Sequence, residues 1–476
     1  MRTIAEYFHL ERSQAELDFV DIPIRRDLPL FVDPYSFTVQ DDQWSLDCNE
    51  AILSFFQTAL DCITSGDHAR GQFLLDNLKE PNETHLGLST TTPRGRGVSG
   101  KQALDLYRHL RRSPAATTGV ISELSDCDLF VEGIGPDKIS DITTNIIRRQ
   151  LVTYTEEQCR IHNIPTQQVP SDRLWNTDSQ RWSVEYVNLP VIGTWRVLLV
   201  PKGSVRWSIA FSPLEYYHQF VLNFLQAEHL AQSSALVEVL KNGRRIVTKR
   251  SLEERYPFSK GFLTEFTQRH PDVLETYKHS LSLGSELTNE ELEEGFDSTE
   301  FARVLKEKLA SIPSGENAAT AYHYFMMGCL EFLFYPLLNY PVPQYRIHNG
   351  RKIVDIRFNN AAREGFFFAM RTHRAVRALY VLAECKNYSH EIANPELDQI
   401  AGRFSPARGR LGLLLARQFD DRERFIRRCR DTVNDDRGFI LPLVDADIVQ
   451  LLSFVEERRK EELDRFLNQR FAEIVS

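Results

Sequence analysis

Three short apolar runs near the end of the chain restrict the possible folds more than any other feature. They are ALYVLAECK at 378–386, LGLLLA at 411–416 and GFILPLV at 438–444. Each has the length and the apolar content of a buried strand. Helices are predicted before, between and after these runs, at 318–338, 395–404, 420–433 and about 445–470. This alternation favours an α/β domain built around a mixed sheet.

A β-hairpin is predicted just before these runs. Asn349 and Gly350 form the strongest two-residue turn signal, and they lie between QYRIH at 344–348 and RKIVDIRF at 351–358. Twenty-eight residues then separate Asp355 from Glu384, more than a tight connection needs. We therefore expect an additional strand or helix within this interval.

The chain has 476 residues, which is too many for one hydrophobic core. We predict an α+β multidomain protein with a mostly helical domain of unknown role at 1–165 and an α+β region for recognition or regulation at 166–312. The α/β domain follows at 313–476. Polar, proline-containing residues 163–183 predict a linker or long loop, and SIPSGENAA at 311–319 predicts the second boundary.

Composition and charge limit where this protein can act and what it can bind. The N-terminal residues carry charges without an apolar signal segment, no apolar run is long enough to span a membrane, and the seven cysteines are scattered. These features predict a cytoplasmic protein with no membrane partner. The net charge of −9 argues against a protein that coats DNA, but residues 346–430 contain 18 basic and 9 acidic residues. Such a segment suits a polyanion-binding module, and arginines that merely decorate helices are the alternative.

The end of the first apolar run brings a carboxylate and an ammonium group together. Glu384 and Lys386 are two residues apart, so in a strand they lie on one face while Cys385 lies on the other. Asp355 interrupts the apolar pattern of the hairpin's second strand. If these strands pair, Asp355 and Glu384 approach each other, and Mg²⁺, or Mn²⁺ instead, would relieve their repulsion. Lys386 could orient or deprotonate the attacking water, or neutralise charge on the phosphate.

These residues, in this order and on these elements, resemble the active-site motif of the PD-(D/E)XK, or restriction-endonuclease-like, nuclease superfamily. The resemblance is confined to the C-terminal domain and implies its fold. It implies that Asp355 and Glu384 hold the metal ion and that Lys386 acts on the nucleophile. It also implies that Glu331, on the preceding helix, supports the metal ion or its water. Gln399, on the following helix, would position the site or contact the substrate backbone.

The resemblance leaves two points open. Val354 stands where many members of the superfamily have a proline before the aspartate. If residues 359–377 supply the strand that pairs with 378–386, Glu364 would replace Asp355 as the second acid. A glutamate and a lysine at a strand end also occur commonly as a solvated ion pair.

Two further motifs bear on binding. Arg424, Arg427 and Arg428 lie on one face of a predicted helix, which would suit a phosphate track or a plain solvated face. Residues 95–101 fit the phosphate-binding pattern GxxxxGK. Gln102 replaces the Ser or Thr that binds Mg²⁺ in such loops, so a glycine-rich linker is the competing interpretation.

The resemblance implies a metal-dependent endonuclease, a hydrolase of phosphodiester bonds in nucleic acid, with DNA favoured over RNA. The architecture is similar to that of restriction or antiviral defence effectors of prokaryotes, which leaves a homo-oligomer or a partner defence protein open. One alternative is a catalytically inactive nucleic-acid-binding or scaffold protein with the same fold. The other is a nucleotide-responsive regulator that uses the loop around Lys101.

Overall fold

The computed structural model describes residues 2–40, 42–79, 81–87, 107–118, 121–240, 242, 244–281, 286–293, 295–347, 351–388 and 394–476. The chain forms two compact units. The first comprises Met1–Ile4, Ile22–Val200 and Ser204–Ser285, and the second comprises Ala5–Asp21, Pro201–Gly203 and Glu286–Ser476. The three predicted domains divide the chain differently, because two short upstream segments belong to the C-terminal unit.

The first unit is mainly helical and carries small two-stranded sheets. Within the described residues, its helices of seven or more residues are Gln43–Ser65, His68–Asp76, Pro136–Ile146, Arg148–His162, Leu222–Ala231, Lys249–Arg255, Lys260–Arg269 and Pro271–Leu281. The strand pairs are Phe31–Val32 with Val205–Arg206, Gln167–Pro170 with Tyr186–Leu189, Leu174–Asn176 with Arg181–Ser183, Val191–Ile192 with Trp195–Arg196, and Glu238–Val239 with Arg245–Ile246. The predicted linker at 163–183 is therefore wrong, because three of these strands lie within it.

Local signals set the ends of the longest helix, Gln43–Ser65. The Asp42 side chain accepts a hydrogen bond from the Ser45 backbone N–H at its start, and this satisfies one of the free donors of the first turn. Gly66 follows the helix with φ of 77°, a conformation that glycine adopts without a steric penalty. The helix is therefore bounded by a side-chain cap at one end and a left-handed glycine at the other.

The second unit contains a five-stranded mixed sheet. Its strands, in their order across the sheet, are β1 (Leu338–Ile347), β2 (Lys352–Asn360), β3 (Tyr380–Lys386), β4 (Leu411–Ala416) and β5 (Phe439–Val444). β2 pairs antiparallel with both β1 and β3, whereas β4 pairs parallel with both β3 and β5. The predicted mixed sheet is confirmed. The predicted Asn349–Gly350 turn lies outside the described residues.

In the described part of the second unit, seven helices of eight or more residues accompany this sheet. They are α1 (Ser298–Ser311), α2 (Ala319–Phe334), α3 (Gly365–Thr372), α4 (Asn394–Ala401), α5 (Arg422–Asn434), α6 (Asp445–Glu456) and α7 (Glu461–Val475). The helix α3 is the additional element expected between Asp355 and Glu384. The single closing helix predicted at about 445–470 is wrong, because two helices occupy that range. Among the described residues, no helix combines the length and the apolar character that a membrane crossing requires.

Segments far upstream in the chain complete this unit. Phe19 and Pro201 form an isolated antiparallel bridge. The backbone N–H of Lys202 donates to the Asp18 carbonyl at 2.8 Å, and the Asp18 carboxylate accepts from the backbone N–H of Tyr340 at 2.9 Å. These contacts tie residues 5–21 and 201–203 to each other and to β1.

A glycine brings α4 close to the sheet. A Cβ atom added to Gly412 on β4 would lie 2.4 Å from the Cδ1 atom of Ile400 on α4, far inside van der Waals contact. The strand residues 411–416 are all buried, as expected for a strand covered on both faces. The close approach at Gly412 fixes the position of α4. It therefore also fixes the position of Gln399, the residue before Ile400.

Candidate active site

Asp355 on β2 and Glu384 on β3 lie on neighbouring strands of the sheet. In the antiparallel register of these strands, Ile356 is the partner of Ala383. One step further along the register brings Asp355 opposite Glu384, and cross-strand partners share one face of a sheet. The negative charge of Asp355 is one of the causes that raise the pKa of Glu384. The two carboxylates predicted to share a cation are therefore close enough to repel each other.

A backbone hydrogen bond holds the Asp355 carboxylate in position. The backbone N–H of Cys385 donates to Oδ2 of Asp355 at 2.9 Å. The paired residues of β2 and β3 end at Ile356 and Ala383, so beyond this point a side chain, rather than the backbone of the facing strand, accepts the N–H of Cys385. Because the donor belongs to the main chain of β3, the orientation of Asp355 depends on the strand and not on the Cys385 side chain.

Glu384 is fully buried, and the pKa of its carboxyl group is raised. Its burial, with repulsion from Asp355, raises the pKa of the carboxyl group to about 7, although Lys386 and Arg403 act in the opposite direction. Its Oε2 atom lies 3.3 Å from Nζ of Lys386. Its Oε1 atom is buried and has no hydrogen-bond partner among the described residues. An unpaired buried carboxylate oxygen is costly, and a cation would relieve that cost.

Lys386 connects the acidic pair to α4. Its Nζ atom contacts Glu384, as stated above, and donates to Oε1 of Gln399 at 3.3 Å. Burial by itself would lower the pKa of Lys386, but the Glu384 and Asp355 carboxylates outweigh it and hold the pKa above its usual value. Lys386 is therefore a stable cation in this arrangement, which suits charge neutralisation better than removal of a proton from water.

Three groups near the site were not predicted from the sequence. Arg403, just after α4, donates to the carbonyl of Ile353 at 2.9 Å and counteracts the raised pKa of Glu384. The imidazole of His323 on α2 lies against Asp355; burial lowers the pKa of His323, and the Asp355 charge opposes that change. No sequence signal distinguishes His323, which lies in an aromatic run.

The third group is Asn387, directly after Lys386. Its Nδ2 atom donates to the carbonyls of Pro313 and Gly315 at 3.0 and 2.8 Å, and its own carbonyl accepts from the Gly315 backbone N–H at 2.7 Å. These three bonds attach the segment at 311–319, predicted as a domain boundary, to the end of β3. The segment thus supports the site instead of separating two domains.

Glu331 has a different partner from the one predicted. Its Oε1 atom lies 3.0 Å from Nζ of Lys202, and both side chains are fully buried. Burial raises the pKa of Glu331, and Lys202 opposes that change. The ammonium group also lies 4.0 Å from the ring centre of Tyr335 and 3.4 Å from Oδ1 of Asn289. The expectation that Glu331 supports a metal ion is not met in this arrangement, because a lysine 129 residues upstream neutralises it.

The alternative acid, Glu364, lies away from the paired strands. It is exposed and immediately precedes α3, whereas the strand that pairs with β3 is β2. Of residues 359–377, only Asn359 and Asn360 belong to that strand, as its last two residues, and Asp355 remains the acid opposite Glu384.

The arginines of α5 fall into two groups. Arg422 forms an ion pair with Glu473 at 2.7 Å, and Arg430 donates to the Glu473 carbonyl at 2.7 Å. Arg424 and Arg427 are exposed and Arg428 is half-buried, and the described residues provide no ion-pair partner for these three. The predicted phosphate track thus consists of the arginines that are not used to hold α5 against α7.

The donor set suits a hard divalent cation. Mg²⁺ is commonly held by one or two carboxylates, and water and substrate phosphates complete its octahedron. Asp355 and Glu384 provide two carboxylates, and Oε1 of Glu384 is a buried acceptor without a partner among the described residues. Within the described ranges, three or more His, Cys, Asp or Glu side chains do not gather into a metal-binding group. The candidate site therefore consists of the Asp355–Glu384 pair.

Comparison with known proteins concerns mainly the other end of the chain. Residues 9–212, less than half of the sequence, match a family model described as Domain of unknown function (DUF8370). No curated protein matches the chain, and no solved structure matches it. The matched residues do not include the five-stranded sheet, so the function of that sheet must be argued from its own side chains.

Proposed function

We propose that this protein is a metal-dependent nuclease whose C-terminal unit has a restriction-endonuclease-like fold and hydrolyses phosphodiester bonds. The observation that carries the proposal is the Asp355–Glu384 pair with Lys386 beside it. A buried acid whose pKa is raised to about 7 by burial and a second carboxylate is typical of a functional site. Gln399 at 3.3 Å from Lys386 supports the same interpretation, because the resemblance implies a glutamine there.

The residues have separate roles in this proposal. Asp355 and Glu384 would hold Mg²⁺ or Mn²⁺, which supplies charge neutralisation at the phosphate and acidifies a water molecule. Lys386, kept protonated by the two carboxylates, would stabilise the negative charge that develops on the phosphate. Gln399 would hold the Lys386 ammonium group in place. Arg424, Arg427 and Arg428 would bind substrate phosphates away from the cleaved bond.

DNA is favoured over RNA as substrate, and a role in prokaryotic restriction or anti-phage defence is part of the proposal. Both statements rest on the resemblance of the C-terminal unit, since the fold by itself does not determine function. The regional excess of basic over acidic residues at 346–430 supports a nucleic-acid substrate in general.

A catalytically inactive nucleic-acid-binding protein is the second candidate. The observation that favours it is the Lys202–Glu331 pair, which engages the helix acid that the superfamily motif would direct to the metal ion. In that case the sheet would bind nucleic acid without cleaving it. The nucleotide-responsive alternative stays a prediction, because residues 95–101 lie outside the described residues.

The test is cleavage of supercoiled plasmid DNA and of a structured RNA by the full-length protein, with Mg²⁺, Mn²⁺ or EDTA. We expect cleavage that requires the metal ion and is lost in Glu384→Gln. Glu364→Gln is the matched control, since it removes an exposed acid outside the site and should cleave like the unmodified protein. Metal-dependent binding without cleavage in any condition would overturn the nuclease proposal and favour the inactive binding protein.

A further inference from the structure

Arg357 on β2 is a half-buried cation held between two aromatic rings. Its guanidinium group lies 4.1 Å from the ring centre of Tyr345 on β1 and 4.5 Å from that of Tyr380 on β3. Its Nε atom is buried and has no hydrogen-bond partner among the described residues. No carboxylate in the described part of the chain forms an ion pair with it. The two tyrosines therefore account for its position, but nothing described neutralises its charge.

The stacking leaves the two Nη groups of Arg357 available to a ligand, because they form no hydrogen bond with the described residues and, unlike Nε, are not buried. Aromatic rings contact the flat faces of a guanidinium group, whereas its N–H donors point outward in its plane. Those in-plane donors match the two oxygens of a phosphate and bind them as a fork. Stacking also restricts the side chain before a ligand arrives, so less conformational entropy is lost on binding.

The position of Arg357 relates it to the candidate site. Arg357 and Asp355 are two residues apart on β2, so they lie on the same face of the sheet. The rise of a strand separates their Cα atoms by about 7 Å. A backbone phosphate bound by Arg357 would therefore neighbour a phosphate bound at Asp355 and Glu384.

We propose that Arg357, clamped by Tyr345 and Tyr380, binds the non-scissile phosphate next to the cleaved one and so reads the sugar–phosphate backbone of a nucleic-acid substrate. This inference rests on the proposed nuclease function for the identity of its ligand. Because a phosphate contact carries no base information, the clamp contributes affinity that does not depend on sequence. The ring faces that contact Arg357 are occupied and do not stack on bases.

The experiment measures binding separately from cleavage. Full-length protein is titrated into short fluorescein-labelled DNA and RNA oligonucleotides of unrelated sequences, in EDTA and at several salt concentrations, with fluorescence anisotropy as the readout. The variants are Arg357→Gln, Arg357→Lys and Tyr345→Phe. Arg255→Gln is the matched control, because Arg255 also lies over a tyrosine ring, at 5.7 Å from that of Tyr256, but is exposed in the first unit.

Each variant has its own expected result. Arg357→Gln should raise Kd about tenfold on every sequence and lower the salt slope by about one, as loss of one phosphate contact does. Arg357→Lys should keep the slope and raise Kd by a few-fold, since it retains the charge but lacks the planar fork. Tyr345→Phe keeps the ring and should bind normally, as should Arg255→Gln. Thermal unfolding of each variant verifies that it is folded.

The outcomes separate this inference from the nuclease proposal. An Arg357→Gln protein that is folded and binds with an unchanged Kd and salt slope overturns the phosphate clamp, even if the unmodified protein cleaves DNA. Binding with the expected slopes but no cleavage in Mg²⁺ or Mn²⁺ supports the clamp and removes the nuclease proposal. Failure of the unmodified protein to bind any oligonucleotide overturns the clamp.

Discussion

The second unit contains two buried lysine–glutamate pairs that look alike locally but differ in their surroundings. Lys386 contacts Glu384 at 3.3 Å and the amide side chain of Gln399 at 3.3 Å. Lys202 contacts Glu331 at 3.0 Å and the amide side chain of Asn289 at 3.4 Å. Each ammonium group thus has one carboxylate and one amide oxygen within reach.

The difference lies in what surrounds each glutamate. Glu384 has a second carboxylate, Asp355, as a cross-strand neighbour, and this repulsion helps to raise its pKa even though Lys386 and Arg403 oppose it. Glu331 faces Lys202 alone, and the ring of Tyr335 covers the ammonium group at 4.0 Å. In the first arrangement two carboxylates repel each other, and a further cation would relieve that repulsion, whereas in the second, one lysine balances one carboxylate. The second carboxylate is what makes the first pair a candidate metal site.

The largest expected effect is on activity, and it concerns Asp355, the second carboxylate beside the Lys386–Glu384 pair. If the proposed function holds, Asp355→Asn should lower metal-dependent cleavage by roughly 10³-fold, about 4 kcal/mol in the barrier, because it removes one of the two carboxylates proposed to hold the cation. Its asparagine oxygen can still accept the Cys385 N–H, and repulsion with Glu384 disappears, so the free energy of unfolding should not fall. Initial cleavage rates and urea unfolding measure the two quantities. Full cleavage in a folded Asp355→Asn protein would contradict the role of this acid.

Substitutions in the balanced pair, Lys202 and Glu331, should change the free energy of unfolding. Lys202→Met leaves the Glu331 carboxylate buried without its counterion and should lower the free energy of unfolding by about 3–5 kcal/mol. The double variant Lys202→Met/Glu331→Leu removes both charges and should recover most of that loss. Urea unfolding of the two variants and the unmodified protein is the measurement. If Lys202→Met is as stable as the double variant, Lys202 does not neutralise Glu331 in the folded protein.

A third prediction concerns pH in the absence of metal ions. The pKa of Glu384 is about 7 in the folded protein against 4.5 for an ordinary glutamate, so the folded state binds the extra proton between these values. The free energy of unfolding should therefore decrease as pH rises from 4.5 to 7, by up to about 3 kcal/mol, and change no further above 7. Asp355, Lys386 and Arg403 are the charged groups that act on Glu384.

The measurement for this prediction is urea unfolding in EDTA across that pH range, for the unmodified protein and for Glu384→Gln. The difference between the unfolding free energies of the two proteins gives the contribution of Glu384, because Glu331 and other buried acids titrate in both proteins. Parallel pH profiles would mean that Glu384 does not take up a proton in the folded state.

The smallest expected effects concern the two amide side chains that contact the lysines, Gln399 and Asn289. Gln399→Leu removes a hydrogen bond from Lys386 and should reduce cleavage by a few-fold, about 1 kcal/mol, with little change in stability because Gln399 is half-buried. Asn289→Leu should cost about 1 kcal/mol of stability and leave the cleavage rate of the folded protein unchanged. Rates normalised to folded protein test both variants. A larger loss of cleavage in Asn289→Leu than in Gln399→Leu would invert the comparison.

Short-range patterns predicted much of the sheet and part of the site. The apolar runs at 378–386, 411–416 and 438–444 became β3, β4 and β5, because strand length, apolar content and the alternation of side chains between the two faces are local properties of a strand. The same local rule put Glu384 and Lys386 on one face. The position of Gln399 on the following helix was also predicted, and the structure brings it to Lys386.

Long-range partners were not predictable in this way. Nothing near Glu331 in sequence indicates that Lys202 neutralises it, since an ion pair between distant residues leaves no periodic pattern. The attachment of Gly315 to Asn387 is similar: Pro313 and Gly315 predicted a boundary, because local composition cannot distinguish a linker from a loop fixed by a distant side chain. The division into two units was missed for the same reason.

The contribution of residues 5–21 and 201–203 to the second unit determines how this protein can be dissected. A fragment that begins at residue 313 would contain every residue of the candidate site but would lack Lys202, the counterion of Glu331, and Asp18, the acceptor for the β1 backbone. Such a fragment should express poorly or aggregate. Its inactivity would reflect a missing structural partner and would not count against the chemistry proposed for the full-length protein.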